Sequence, residues 1–429
     1  MPVSRLFVLG ILFFGLLLSG LWLMRGELLA LAMPLGAYWL VGLWLAPLEL
    51  RLSARRSLSA TRLTAGGTME VRVELENQGA AIDQVWLRDA LPAGLELIAG
   101  KPGGLAALGP GEKLVLEYTV RVQRGVYAYD TLEVNVGDGL DLATSVLRLP
   151  AEGAISVLPQ AVRISGIPLY PYYTKGYHGT IPARRGGAGV AFFGVRDYQP
   201  GDALRQVNWR LGARHPDTLY SNEFQVDAAA DVSLLLDGRS ENYARIGETS
   251  LFEYAIQAAA SLALSFLGEG NRVGLLAFGH MLNWTLPGYG KLQAERIFHA
   301  LAALRPGNLQ NEIPEALLAY FVRPGSQVVV ISPLTRWDVG GLLRLRSRRY
   351  SLLVVSPDPS SFEYQHLAPG AARDMAMRIA HVERQQLLQP LRRAGVLTLD
   401  WDVGQPLDQA INVLQRSVVA GFPVDGGLA

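Results

Sequence analysis

The chain has 429 residues, half of them hydrophobic, with 39 Lys plus Arg against 38 Asp plus Glu. This near-balance provides no global field for nucleic acid or an acidic substrate, and the length allows two or three domains. There is no cysteine, which excludes disulfides, thiolate metal sites and cysteine nucleophiles.

The first 50 residues read as a transmembrane helical hairpin. Leu6–Met24 is a run of 19 residues without a charge, roughly 29 Å as a helix and close to the thickness of a bilayer core. Arg25-Gly26-Glu27 breaks it, and Leu28–Leu48 is a second uncharged run, with Pro34 tolerable in a membrane helix. A cleaved signal peptide is the plainer alternative, but its apolar core is shorter and no second run follows it. Arg51, Arg55 and Arg56 after the second run outweigh Arg25 in the turn, which puts both ends in the cytoplasm. The expected location is the inner (plasma) membrane, multi-pass, with the remaining domains cytoplasmic.

Residues 57–158 predict a β-sandwich of the Ig-like type without its disulfide. Thr68–Leu75, Lys113–Val120 and Thr131–Val136 alternate apolar and polar residues at period two, the pattern of half-buried antiparallel strands. Asn77-Gln78-Gly79, Leu91-Pro92-Ala93-Gly94 and Gly109-Pro110-Gly111 mark turns. Nothing in this segment groups acids, histidines or serines for chemistry, so it reads as a spacer or interaction module.

Residues 159–230 form a linker expected to pack on the next domain. Tyr170, Tyr172, Tyr173, Lys175, Tyr177, Arg184 and Arg185 mix aromatic and basic side chains. A Gly-rich loop on the domain or membrane surface explains them better than stacking on single-stranded nucleic acid. Further on, Gln199-Pro200-Gly201-Asp202 places Pro and Gly where a type II turn needs them. Asp202 is then expected to cap a short helix carrying Leu204, Val207 and Trp209. Arg196, Arg205, Arg210 and Arg214, with Asp197 and Asp202, predict a partly buried ion-pair network that locks the segment onto the sheet around a buried Trp209. A partner-docking surface is the competing reading, and a catalytic or ligand site a third.

Residues 231–420 predict an α/β domain. Val232–Leu236 is a short apolar strand ending in Asp237, at the strand end where open α/β sheets place ligands. Phe252, Ala255, Ile256, Ala259, Ala263 and Phe266 give a helix over about 248–267 its core face. Strands at 272–278, 327–332, 351–356 and 396–401 alternate with helices near 291–304, 339–348, 371–394 and 406–417, and a hairpin partner is expected near 281–286. This alternation predicts a mostly parallel, doubly wound sheet covered by helices on both faces. No phosphate loop, no H-E-x-x-H and no G-x-S-x-G occurs. The chain reads as a non-enzyme with no catalytic residue.

Arg196-Asp197-Tyr198-Gln199-Pro200-Gly201-Asp202, then Arg205 through Trp209, then Ala213-Arg214 carry a resemblance. The pattern is similar to the R-x-Y-x-x-G-D turn, R-x-x-x-W and A-R pair of the family catalogued as domain of unknown function 58. The resemblance implies a membrane-anchored protein whose C-terminal part is a von Willebrand factor A-like domain. It also implies an accessory role beside a MoxR-type AAA+ ATPase, in protein-complex assembly or cell-envelope processes. Arg196, Asp197, Tyr198, Gly201, Asp202, Arg205, Trp209 and Arg214 are thus the candidate partner-binding or structural motif.

A von Willebrand A domain that binds Mg²⁺ carries D-x-S-x-S after its first strand, with a Thr and an Asp on later loops. Here Asp237-Gly238-Arg239-Ser240-Glu241 keeps the Asp but has Arg at the first Ser position and Glu at the second. Ile331-Ser332-Pro333 lacks the later Asp, and Leu309–Asn311 lacks the Thr. Asp237, Ser240 and Glu241 remain as a degenerate metal site, and Arg239 is expected to fill the charge deficit beside Asp237 that a cation would fill. No cofactor is therefore expected, with Mg²⁺ the lesser alternative. The function read from the sequence is a membrane-anchored, non-enzymatic interaction scaffold that binds a protein partner and no nucleic acid. A divalent-metal-dependent adhesion or ligand-binding module and a membrane-bound hydrolase are the alternatives.

Overall fold

A computed structural model describes residues 5–45, 50–137, 144–172, 174–175, 181–215, 217–308, 313 and 315–421. The chain divides into two compact units, Met1–Leu158 and Pro159–Ala429. Tyr173, Tyr177 and the Leu309–Asn311 loop named above lie outside the described residues.

The first unit begins with helices α1 (Arg5–Trp22) and α2 (Gly26–Leu45). Small residues let them approach closely: Gly36 faces the Phe13 ring, Gly10 faces Trp39, and Phe13 stacks on Trp39 with ring centroids 6.1 Å apart. Within the described residues, Phe7–Trp22 and Gly26–Gly42 are apolar helical stretches of under 18 residues each. Among the described residues only Leu251–Gly268 is long and apolar enough to cross a membrane, and two thirds of it is buried within the protein. The structure therefore does not support the multi-pass inner-membrane placement: hydropathy marks apolar residues, and a core helix satisfies the same measure.

The sandwich follows, built from β1 (Leu52–Leu58), β2 (Arg62–Thr64), β3 (Thr68–Asn77), β4 (Ile82–Arg88), β5 (Leu95–Gly100), β6 (Gly103–Leu108), β7 (Lys113–Val122), β8 (Gly125–Gly137) and β9 (Thr144–Leu158). One sheet runs β1-β3-β7-β5 and the other β2-β9-β8-β4-β6. The period-two pattern decides the faces. Met69, Val71, Val73 and Leu75 of β3 and Leu116, Tyr118, Val120 and Val122 of β7 join Leu132, Val134 and Val136 of β8 in one core. Sequence periodicity gave no sign of the polar group inside that core. Arg56 donates to both Asp89 oxygens (3.2 and 2.6 Å) and lies over the Tyr129 ring at 4.4 Å, while Tyr118 Oη donates to Asp89 at 2.7 Å. Burial, then the bond to Asp89, pushes the Tyr118 hydroxyl pKa well above its ordinary value.

The second unit starts with an extended segment stapled to its core. Val162 and Ile164 donate their amides to the hydroxyls of Ser261 and Ser265, at 3.0 and 2.8 Å, and Ile164 and Ile167 are buried. Short β10 (Thr174–Lys175) and long β11 (Ile181–Asp197) both pair antiparallel with β12 (Tyr220–Asp237), and the four-residue α3 (Trp209–Gly212) lies between β11 and β12. After β12 come a small ribbon, β13 (Arg245–Ile246) and β14 (Thr249–Ser250), then α4 (Leu251–Gly268), β15 (Arg272–Phe278), β16 (Asn283–Gly288), α5 (Gly290–Ala303) and α6 (Glu315–Phe321). The chain continues through β17 (Gln327–Ile331), α7 (Arg336–Ser347), β18 (Ser351–Pro357), α8 (Pro359–His366), α9 (Ala371–Arg393), β19 (Leu397–Trp401) and α10 (Leu407–Gly421).

The main sheet has the order β16-β15-β12-β17-β18-β19, parallel except for the β16 edge. Chain order runs outward from β12 in both directions, so the switch point lies between β12 and β17. Alternation along β12 feeds two cores. Val232, Leu234 and Leu236 pack with α4, and Leu235 packs with Leu342, Leu345 and Leu388 of α7 and α9 on the other face. The doubly wound sheet expected from the strand–helix alternation is present, and β12 begins twelve positions earlier than its apolar run suggested. Its first half leaves the parallel sheet as a ribbon with β11, so a domain boundary at residue 231 would cut a continuous strand.

Candidate functional site: an arginine-filled strand-end crevice and an exposed ribbon motif

Asp237 ends the central strand and is fully buried, as is Arg239 two residues on (2% exposed). The Asp237 carboxylate accepts from the Arg239 amide (2.9 Å), Arg239 Nε (3.0 Å), Arg239 Nη2 (2.7 Å), Asn242 Nδ2 (2.8 Å) and Ser332 Oγ (2.7 Å). Arg239 Nη2 also reaches both oxygens of buried Asp338 at 2.9 Å. One guanidinium is thus clamped between two carboxylates at the switch point. Burial pulls the Arg239 pKa down, but the bonds to Asp237 and Asp338 outweigh it, and the net shift is upward. Tyr243 closes the floor by donating to the Asp237 carbonyl at 2.6 Å.

Local sequence explains the placement. Asp338 is N3 of α7, held by the amide and hydroxyl of Thr335, both at 2.8 Å, in a capping box. Its charge also meets the positive end of that helix. Gly279 has φ +126°, and a Cβ there would lie 2.3 Å from the Gly238 carbonyl carbon, so only glycine lets these strand-end loops touch. A second buried guanidinium laces the neighbouring strand ends. Arg384 of α9 pairs with Asp400 and Asp358 and donates to the Pro333 and Ser356 carbonyls at 3.1 and 3.0 Å.

The Asp237–Arg239 pair read from the sequence is therefore formed, whereas Asp338, 99 residues away, was missed. Its signal was Thr335-x-x-Asp338 ahead of an apolar-periodic helix. Ser240 and Glu241 do not join the carboxylates. Ser240 spends its hydroxyl on Asn308, and Glu241 is exposed on a single 3₁₀ turn. No group of three or more His, Cys, Asp or Glu is placed to hold a metal among the described residues.

The motif lies at the other end of β12. From Glu223 to Asp237 the strand can separate the two regions by up to about 45 Å. Gly201 has φ +109° and the Asp202 amide bonds the Gln199 carbonyl at 3.0 Å, as a type II turn requires. Arg196 donates to Asp202 at 2.6 Å and to Glu223 at 2.9 Å. The bond from Arg196 leads in lowering the Asp202 pKa, and the same bond leads in raising that of Arg196. Tyr198 ties in through its amide, bonded to the Leu219 carbonyl at 2.8 Å, and Asp197 is exposed at the end of β11.

Three expectations are corrected here. Asp202 caps no helix; it closes its own turn by accepting from the Gln199 amide at 3.0 Å, and Asn208 caps α3. Arg205, Arg210 and Arg214 are exposed and outside the ion-pair network, whose second acid is Glu223. Trp209 is not buried but 63% exposed, with no second layer over the ribbon end among the described residues.

These features define a class: a two-unit protein with a β-sandwich and a doubly wound α/β unit whose switch-point crevice holds an arginine instead of open ligand positions. Residues 194–363, from the ribbon motif through the crevice to α8, match the family described as protein of unknown function DUF58. It is 27% identical over 291 residues to the uncharacterized protein YeaD of Bacillus subtilis, an alignment covering 66% of this chain and 70% of that protein. Among solved structures, a CARDB domain from Pyrococcus furiosus in complex with di-metal ions is 18% identical, covers 26% of this chain and 96% of its own, and has a TM-score of 0.18. A non-cellulosomal cohesin from Archaeoglobus fulgidus is 17% identical over 25% of this chain and 91% of its own, with a TM-score of 0.19. Likenesses that weak carry no argument about function.

Proposed function

We propose that the chain is a non-enzymatic protein-interaction scaffold, attached to the inner membrane by α1 and α2, whose α/β unit docks a protein partner without a divalent cation. The partner that the family resemblance implies is a MoxR-type AAA+ ATPase, in protein-complex assembly or cell-envelope processes. The strand order and antiparallel edge strand support a von Willebrand factor A-like reading of the unit. The large apolar side chains that α1 and α2 expose, among them Phe7, Leu18 and Trp22, support the attachment.

The observation that carries the proposal is the Arg239 guanidinium between Asp237 and Asp338. A hard cation such as Mg²⁺ needs oxygen lone pairs free to coordinate it. Asp237 already accepts five hydrogen bonds, about as many as a carboxylate has lone-pair sites. The test is capture of a candidate MoxR-type ATPase by the full chain in detergent, in EDTA and in Mg²⁺. Equal capture is expected. Capture lost in EDTA, or Mn²⁺ binding by the wild type that Asp237→Ala abolishes, would favour a metal-dependent adhesion module instead.

A further inference from the structure

We infer that the tip of the β11–β12 ribbon, Ala203–His215, docks onto an acidic protein surface that offers an apolar recess, a reading that rests on the scaffold function proposed above. This stretch contains no acidic residue. Arg205, Arg210 and Arg214 are all exposed, and among the described residues none of their side chains has an ion-pair or hydrogen-bond partner. Beside them Leu204 and Trp209 stand 72% and 63% exposed, and Leu219 on the returning chain is 49% exposed.

The tip is held in shape before any partner arrives. The Tyr198 amide bonds the Leu219 carbonyl and the Asn208 amide the Tyr220 carbonyl, each at 2.8 Å. Asn208 also caps α3 and donates to Asn222 Oδ1 at 2.8 Å, while Arg196, Asp202 and Glu223 lock the turn below. A preorganised surface loses little entropy on binding, and Trp and Arg are the residues that dominate interface energies.

Charge and geometry choose the occupant. Three guanidiniums that pair with no carboxylate among the described residues, although Asp197 and Asp217 flank the stretch, call for anions, and the planar fork matches carboxylates in pairs. Nucleic acid is gripped by successive aromatic platforms, and the tip has a single one. A bilayer surface is met by an amphipathic helix with a long apolar face, and α3 has four residues.

The experiment measures binding of the full chain in detergent to a fluorescent peptide with Glu and Leu at helical spacing. Parallel probes are the same peptide with Lys for Glu, an oligo-dT strand and phosphatidylserine vesicles. Binding of the Glu peptide should be the tightest of the four and weaken as salt rises. Arg210→Glu with Arg214→Glu should lower it at least tenfold, and Trp209→Ala should lower it with melting unchanged. Equal binding of the Lys peptide, tighter binding of the oligonucleotide or vesicles, or indifference to the charge reversal would each overturn the inference. If the tip variants still capture the ATPase in EDTA, the tip assignment fails and the scaffold reading stands. If the wild type captures no ATPase but the acidic peptide still binds at the tip, the scaffold reading fails on its own.

Discussion

Replacing Arg239 by Ala removes the one positive charge that Asp237 and Asp338 share. Both carboxylates are buried and lie 2.7 and 2.9 Å from Nη2, so their nearest oxygens stand no more than about 6 Å apart. At that separation two unit charges repel by about 3 kcal/mol in an effective dielectric of 20. Breaking a buried pair by removing one partner typically costs about 3–5 kcal/mol. The two routes agree, and for a unit of this size the α/β melting transition should fall by about 10 °C. A divalent cation added to the variant should refill the deficit. At ten times its dissociation constant it would return about 1.4 kcal/mol, while the wild type should not respond. Differential scanning fluorimetry of the full chain, with and without MgCl₂ or MnCl₂, reads both effects. A variant that melts with the wild type, or a wild type that metal stabilises, would refute the assignment of Arg239 as the cation's substitute.

Arg56→Ala should destabilise the sandwich by about 3–5 kcal/mol, because it removes the ion-pair partner of the buried Asp89 carboxyl; urea unfolding followed by Tyr fluorescence checks it. Trp209→Ala should shift the melting point by less than about 1 kcal/mol equivalent, as expected of an exposed side chain, and a core-sized loss of ~3 kcal/mol or more would mean the indole is covered. Gly279→Ala should lower expression of folded protein, since no small movement clears its contact with the Gly238 backbone. The Asp202 pKa is lowered in the folded turn, so its contribution is present above the ordinary Asp range and is lost only as pH falls through the lowered value. Amide exchange at Gln199, whose N–H donates to Asp202, should therefore stay protected through pH 5 and rise below the ordinary Asp pKa of about 3.9.

How much of this was legible depended on whether a pattern had something to pack against. Gln327–Ile331 and Ser351–Pro357 are buried along their whole length, and continuous apolar runs announced them. The β3 and β7 alternation announced the sandwich for the same reason. The ribbon had no such signature: β11 is rich in Gly and the first half of β12 mixes polar and apolar residues, because neither packs in the main sheet. Helices α6 and α8, of 7 and 8 residues, are too short to display a period. In the crevice, Asp237 and Arg239 could be paired from sequence because two positions separate them, whereas Asp338 arrives only through the fold. Trp209 reads as a core residue beside Leu204 and Val207 on a short helix, and that local pattern says nothing about whether a layer exists to receive it.

The fastening of Val162 and Ile164 to α4 has a mechanical side. A pull transmitted through the chain at Leu158 would have to break the amide–hydroxyl bonds to Ser261 and Ser265 and draw Ile164 and Ile167 out of the core before it reached β12.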